Sequence, residues 1–296
     1  MTNDICGITD LDREICDHCQ KQEDALVTAP TVPGLYPDLP EDVYHGDRDS
    51  LSSTGVRQLV KAGGAAKFRF AEPEDNDAFD IGAAAHTMLL RTGAAIEVVD
   101  ASSWQTKDAK AAKAKARREG KTPLLVKQHA AVTRMVDAAM ARPEVAELFP
   151  AEGVAELSAY AMDPDTWVML RARLDYGIFD DQHVTVVDYK TSKDASPAGF
   201  EKAAANYGYH VQEAHYRRVL AELGYAVDRF VFVVQEKTAP YLTSLHEFDS
   251  AAVEAGDRVV TTGSRLFAAC READDWPGYG DHTYRMTLPA WVSREW

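Results

Sequence analysis

The chain has 296 residues, 46% of them apolar, and a formal net charge of −15. That length fits one large domain or a domain with appendages, and the apolar share is enough for a core. The acidity argues against broad nonspecific affinity for nucleic acid, although a basic channel on an acidic body stays compatible with it. With no apolar run of about eighteen residues and no signal-peptide core, we expect a cytoplasmic protein with no membrane span.

Residues 1–33 read as a separate head that ends in a linker marked by Pro30 and Pro33. It holds Cys6 and Cys16-Asp17-His18-Cys19. The Cys-x2-Cys spacing fits Zn²⁺, with Cys6 and His18 as candidate further ligands; a mobile tail is the plainer reading, and joining Cys270 to the three would give an iron–sulfur site. Gly34 to His45 is turn-rich and aromatic. Ser52 or Ser53 is placed to cap a helix over Thr54–Ala62, and Ala71 to Asp77 reads as an acidic loop.

Phe79–Leu90 has helical spacing, with Gly82 permitting close packing and His86 one turn further on. His86 is either a core residue or, should acids lie nearby, a metal ligand. Lys107 to Lys121 carries seven Lys or Arg residues within a basic helical insertion at about residues 102–123. Its Lys110, Lys113, Lys115, Arg117 and Arg118 form either a solvated face or a phosphate-contacting arm. Val126–Met140 reads as an amphipathic helix that stops near Pro143.

Three strands follow. On Ala155–Met162, residues Glu156, Ser158 and Tyr160 share a face, and on Met169–Tyr176 so do Arg171, Arg173 and Asp175. Val184–Tyr189 is β-branched and aromatic, with Asp188 and Lys190 on one face. The intervening Gly177–His183 is short enough for an antiparallel hairpin that brings Asp175 and Asp188 together. Two adjacent carboxylates repel, and a hard divalent cation such as Mg²⁺ or Mn²⁺ removes the conflict. Such a cation generates a nucleophilic water and offsets phosphodiester charge, while Lys190 adds a fixed positive charge. An ordinary hairpin with one Asp–Lys ion pair is the plainer alternative. Glu156 is a third acid for the site or an edge residue.

Ser196-Pro197 starts a helix that breaks at Asn206-Tyr207-Gly208, and a second runs from Tyr209 to Leu223. On it Gln212 and Tyr216, four apart, share a face. Arg229–Gln235 reads as a central strand and Val253–Ala273 as a helix, with an irregular tail after Trp276. The order defines an α/β fold in which helices flank a mixed central β-sheet.

Taken together, GLYPDLPEDVYH, DSLSSTGVRQLV, GAAAH, AELSAYA, RARLD, VVDYKTS, QEAHY and WPGY, in that order across about residues 34–280, resemble the PD-(D/E)XK (restriction-endonuclease-like) nucleases. The resemblance is closest to the phage exonuclease VIII (RecE-like) branch with RecB-type nuclease motifs. It implies a nuclease domain over residues 34–296. It implies metal ligation by His86, Asp175 and Asp188 with help from Glu156, water activation by Lys190, and Gln212 and Tyr216 beside the site. Arg171, Arg173 and the basic insertion would contact DNA. The implied activity is Mg²⁺-dependent exonucleolytic digestion of double-stranded DNA ends, 5′ to 3′, for phage recombination. The implied partners are a RecT-type annealing protein and further copies of the chain in a ring. Ala172 stands where the family often has glycine, and the cysteine-bearing head is outside the pattern. A RecB-type iron–sulfur nuclease and an inactive DNA-binding scaffold are the competing readings.

Overall fold

The computed structural model describes residues 28–71 and 79–288. Cys6, Cys16 and Cys19, with the metal sites considered for them, lie outside the described residues, as does most of the acidic loop. In chain order the elements are β1 (Gly34–Tyr36), α1 (Glu41–Gly46), β2 (Leu51–Ser52), α2 (Ser53–Leu59), α3 (Gly64–Phe70), α4 (Phe79–Leu90), β3 (Ile96–Val99), α5 (Lys107–Arg118), β4 (Thr122–Leu125), α6 (Val126–Met140) and α7 (Pro143–Ala146). Then come β5 (Val154–Met162), β6 (Met169–Asp180), β7 (His183–Ser192), α8 (Pro197–Tyr207), α9 (Tyr209–Glu222), β8 (Ala226–Glu236), β9 (Thr243–His246) and α10 (Ser250–Ala273).

One mixed sheet runs β1-β5-β6-β7-β8-β9, with β2 added beside β6; β3 and β4 form a separate parallel pair. β5, β6 and β7 pair antiparallel, and β7 pairs parallel with β8 over a crossover made by α8 and α9. Burial of β7 and β8 on both faces follows from their near-continuous apolar sequence. Val184, Val186, Phe230, Phe232 and Val234 face one core with residues of α2, α9 and α10. Val187, Tyr189, Val231 and Val233 face the other, under α4 and α6. Cys270, the one cysteine among the described residues, is a buried thiol in the first core.

The structure extends the expected hairpin. β6 continues to Asp180 and β7 begins at His183, so the turn is only Asp181-Gln182 rather than Gly177–His183. Asp181 takes φ +53°, a left-handed conformation that aspartate tolerates. The turn-rich Gly34–His45 segment also contains β1 and most of α1, and β9 follows β8 before the last helix. These elements are too short for periodicity to reveal. Among the described residues, no helix is long and apolar enough to cross a membrane.

Two details position the site. Pairing between β6 and β7 ends at Tyr176–Val187, while further along β6 the partner is β2, at Leu170 and Arg171. The two central strands therefore part just where Asp175 and Asp188 stand. On the opposite side, a Cβ at Gly82 would lie 3.1 Å from Thr191 Oγ1, so glycine lets α4 approach the end of β7 closely.

Candidate active site

At the parting of β6 and β7 the backbone ladder is replaced by a side chain. Asp175 Oδ2 accepts a hydrogen bond from the Tyr189 N–H at 2.8 Å. This brings the β6 carboxylate between Asp188 and Lys190 in sequence on β7. Asp188 is 1% exposed. Its Oδ2 accepts from Gln212 Nε2 of α9 at 2.5 Å. Its Oδ1 is in ion contact with Lys190 Nζ but makes no well-aligned hydrogen bond. Burial pushes the Asp188 carboxyl above the usual range, against the pull of Lys190. Burial also opposes the charge on Lys190, but Asp188 and Asp175 outweigh it and hold the ammonium protonated.

α4 brings His86 to the other side. Its Nε2 lies 3.1 Å from Asp175 Oδ2 and its Nδ1 3.1 Å from Glu156 Oε1. Burial opposes a charged imidazole, yet Asp175 first and Glu156 next raise His86 to about 9. Burial would raise Asp175, and the His86 imidazolium overcomes it and lowers it. Glu156 stays raised because burial exceeds the help of His86 and Arg173. Glu156 also has φ +52°, a conformation costly for a non-glycine residue, so its carboxylate is held in place at some backbone strain.

The donor set fits a hard divalent cation. It consists of the carboxylates of Asp175, Asp188 and Glu156 and the imidazole of His86, with Asp188 Oδ1 lacking a proper donor. As arranged, no group of three or more His, Cys, Asp or Glu among the described residues surrounds a single metal position. In this arrangement His86 contacts Asp175 and Glu156, and Lys190 contacts Asp188. The cluster opens into a cavity of about 1100 Å³, whose far wall includes Ser53, Thr54, Arg57 and Lys67.

Tyr216 is in this wall, and its hydroxyl donates to the Arg173 carbonyl at 2.8 Å. The arginines make contacts within the protein. Arg171 is 6% exposed, and Nη1 donates to Ser50 O at 2.5 Å and Ser50 Oγ at 2.8 Å. Arg173 donates from Nε to Glu156 Oε2 at 2.5 Å and from Nη1 to Leu39 O and Ser158 Oγ, each at 3.0 Å. Both guanidiniums also lie near the Tyr44 ring. These contacts brace residues 39–50 against β6, while both arginines also line the cavity. The basic helix α5 divides likewise. Lys113 is buried 3.5 Å from Asp80 of α4, over the Trp104 ring, and Arg117 pairs with the same Asp80 at 3.3 Å. Lys110, Lys115 and Arg118 are exposed. A charge run cannot disclose a partner about thirty residues earlier in the chain.

Sequence reasoning missed Asp47, Ser50 and Tyr44, which hold the arginines. It also missed Tyr209, whose ring lies 5.3 Å from Lys190 Nζ. The only prior signal for Tyr209 was an aromatic residue placed just after the Gly208 helix break.

Two strand acids, a lysine two residues beyond the second, and helices on both faces of a mixed sheet define a PD-(D/E)XK-like domain. Residues 59–286 match the model of the PDDEXK-like domain of unknown function, DUF3799, and the chain belongs to that family. Among solved structures, a Eubacterium rectale protein described as a candidate exonuclease aligns over 86% of this chain and 98% of its own, at 10% identity and a TM-score of 0.54, a likeness of fold. A second, SSO0001, aligns over 67% and 82% at 9% identity, with a TM-score of 0.26 that carries no weight. No curated protein matches the chain.

Proposed function

We propose that this protein is a metal-dependent deoxyribonuclease that degrades double-stranded DNA from its ends, 5′ to 3′, leaving 3′ single-stranded tails. The observation that carries the reading is the convergence of Asp175, Asp188, Lys190 and Gln212 where β6 and β7 part, with Asp175, Lys190 and Gln212 lining a cavity of about 1100 Å³. The fold shared with the Eubacterium rectale protein supports it.

Asp175, Asp188 and His86, assisted by Glu156, would hold Mg²⁺ or Mn²⁺. Such an ion supplies an acidified water and relieves charge on the phosphate. Gln212 fixes one oxygen of Asp188 and leaves the other toward the cavity side occupied by Lys190. Lys190, kept charged by both acids, gives a fixed cation to orient the attacking water and the scissile phosphate. Tyr216 acts as wall rather than phosphate donor, because its proton is committed to the Arg173 carbonyl. Contacts of this kind go to the DNA backbone, so no sequence preference is expected. Lys107, Lys110, Lys115 and Arg118 are exposed cations of α5 that can meet DNA. The wider reading is a ring of copies with an acidic outside, working with a RecT-type annealing protein in phage recombination.

A linear duplex labelled at the 5′ end of one strand and the 3′ end of the other, beside a closed circle, tests the proposal. Early loss of the 5′ label, a surviving 3′ strand and an intact circle, all abolished by EDTA, are expected. Cleavage of the circle would remove the end-dependent part, and no hydrolysis with Mg²⁺ or Mn²⁺ would remove the enzyme. Sedimentation velocity would report the ring.

A further inference from the structure

A row of nearly parallel aromatic rings runs from the core to the surface beside Lys190. Phe248 and Phe200 stack at 6.0 Å, Phe200 and Tyr209 at 5.8 Å, and Tyr209 and Tyr207 at 5.8 Å, with each successive pair within 27° of parallel. The inner rings are packed against Phe232 and half-buried or buried. The outermost, Tyr207, is 61% exposed. It closes α8 just before Gly208, whose φ of +67° turns the chain so that Tyr207 and Tyr209 can overlap. The Tyr207 carbonyl accepts from Arg57 Nη1, and Arg57 is fixed in turn by Thr54 Oγ1 at 2.8 Å and Ser53 O at 3.2 Å. These three residues form the far wall of the active cavity. Tyr209 lines the same cavity, with Lys190 Nζ 5.3 Å from its ring.

We propose that Tyr207 is a stacking platform for an unpaired nucleobase of the DNA strand whose phosphate lies at Lys190. The inference rests on the nuclease reading and names the form in which that site takes its substrate. An exposed aromatic residue at the end of a helix normally turns its ring against the protein surface or moves freely. Here its ring is stacked on one side and its backbone is tied to the cavity wall. One more flat ring continues the row. Within a duplex both faces of a base are already covered by neighbours, so a base able to stack on Tyr207 is a frayed or separated one, as at a strand end. Base–aromatic stacking is tolerant of base identity, which suits an enzyme that reads no sequence. Cation–π contact of Lys190 with Tyr209 links the platform to the reacting phosphate, one ring away.

The test uses a linear duplex with 5-iodouracil at the first or second nucleotide of the 5′-ended strand, or at an internal position, bound to the full chain in EDTA. Irradiation joins iodouracil to an aromatic residue stacked on it, and peptide mass spectrometry finds the residue. Cross-linking to the Tyr207 peptide from an end position and not from the internal one is expected. It should be kept in Tyr207→Phe and lost in Tyr207→Ala. With Mg²⁺, Tyr207→Ala should raise KM roughly tenfold and leave kcat within about twofold, because the stack forms before and during reaction alike. Cross-linking at a different residue, or a Tyr207→Ala protein with unchanged KM and cross-link, overturns the platform while hydrolysis by the wild type keeps the nuclease. Wild-type protein that neither hydrolyses nor binds the duplex overturns both.

Discussion

Replacing His215 by glutamine should make the protein less sensitive to acid. His215 lies on α9 between Gln212 and Tyr216 and is fully buried. Its Nε2 is 3.0 Å from the Arg171 carbonyl, which only accepts, so Nε2 carries the proton. Nδ1 is buried with no partner, and a second proton there would have no acceptor. Burial, reinforced by nearby arginines, lowers His215 from 6.5 to about 4. A group lowered on folding stays neutral in the folded chain and takes up its proton readily in the unfolded chain. Its contribution is complete above pH 6.5 and is lost as pH falls toward 4. Between pH 7 and pH 4.5 these two values correspond to about 2 kcal/mol. Glutamine can keep the bond to Arg171 O without titrating. Urea unfolding followed by tryptophan fluorescence at pH 7, 5.5 and 4.5 measures the difference. His215→Gln should lose about 2 kcal/mol less than wild type over that range, although its stability at pH 7 is lower by about 1 kcal/mol from imperfect packing. Parallel pH slopes for the two proteins would refute the reasoning.

Three further outcomes follow from the same contacts. Asp188→Asn and Lys190→Met should each reduce metal-dependent hydrolysis at least about a hundredfold while the circular dichroism spectrum stays that of wild type. In metal-free protein, His86 raised to about 9 contributes stability that is whole below pH 6.5 and fades as pH rises through 9. His86→Asn should abolish that alkaline decline in a melting series. Isothermal calorimetry of Mn²⁺ binding at pH 8 in buffers of different ionisation enthalpy should reveal proton release from wild type that the variant lacks. Gly256→Val should destabilise the fold by roughly 3 kcal/mol, because a Cβ there falls 2.2 Å from the His210 carbonyl and forces α10 from the helix that carries Gln212. Chemical denaturation at pH 7 measures it, and a change below about 0.5 kcal/mol would show the contact to be soft.

The strands and their acids were legible because period-two alternation and the spacing of Asp175, Asp188 and Lys190 are local properties. The four-residue step from Gln212 to Tyr216 made α9 legible in the same way. His86 was ambiguous until α4 was placed, since a histidine on an apolar helix has no chemistry of its own. What stayed hidden depends on pairing between distant residues. The internal partners of Arg171 and Arg173 stayed hidden because Ser50, Leu39 and Tyr44 come from a segment with no periodic pattern. The ion pairs of Lys113 and Arg117 stayed hidden because Asp80 lies in an earlier helix. β2, only two residues long, is invisible in sequence, yet it occupies the edge of β6 that β7 vacates.

The bond from the Tyr189 N–H to Asp175 has a practical consequence for anyone seeking a protein that grips DNA without cutting it. A carboxylate that doubles as a rung of the sheet cannot be removed without loosening the end of the β6–β7 pairing, so Asp175→Ala would mix lost chemistry with a weakened scaffold. Asp188 is held by side chains alone. An inactive bait for capturing substrates or partners is therefore best made at Asp188, with asparagine keeping the grip of Gln212.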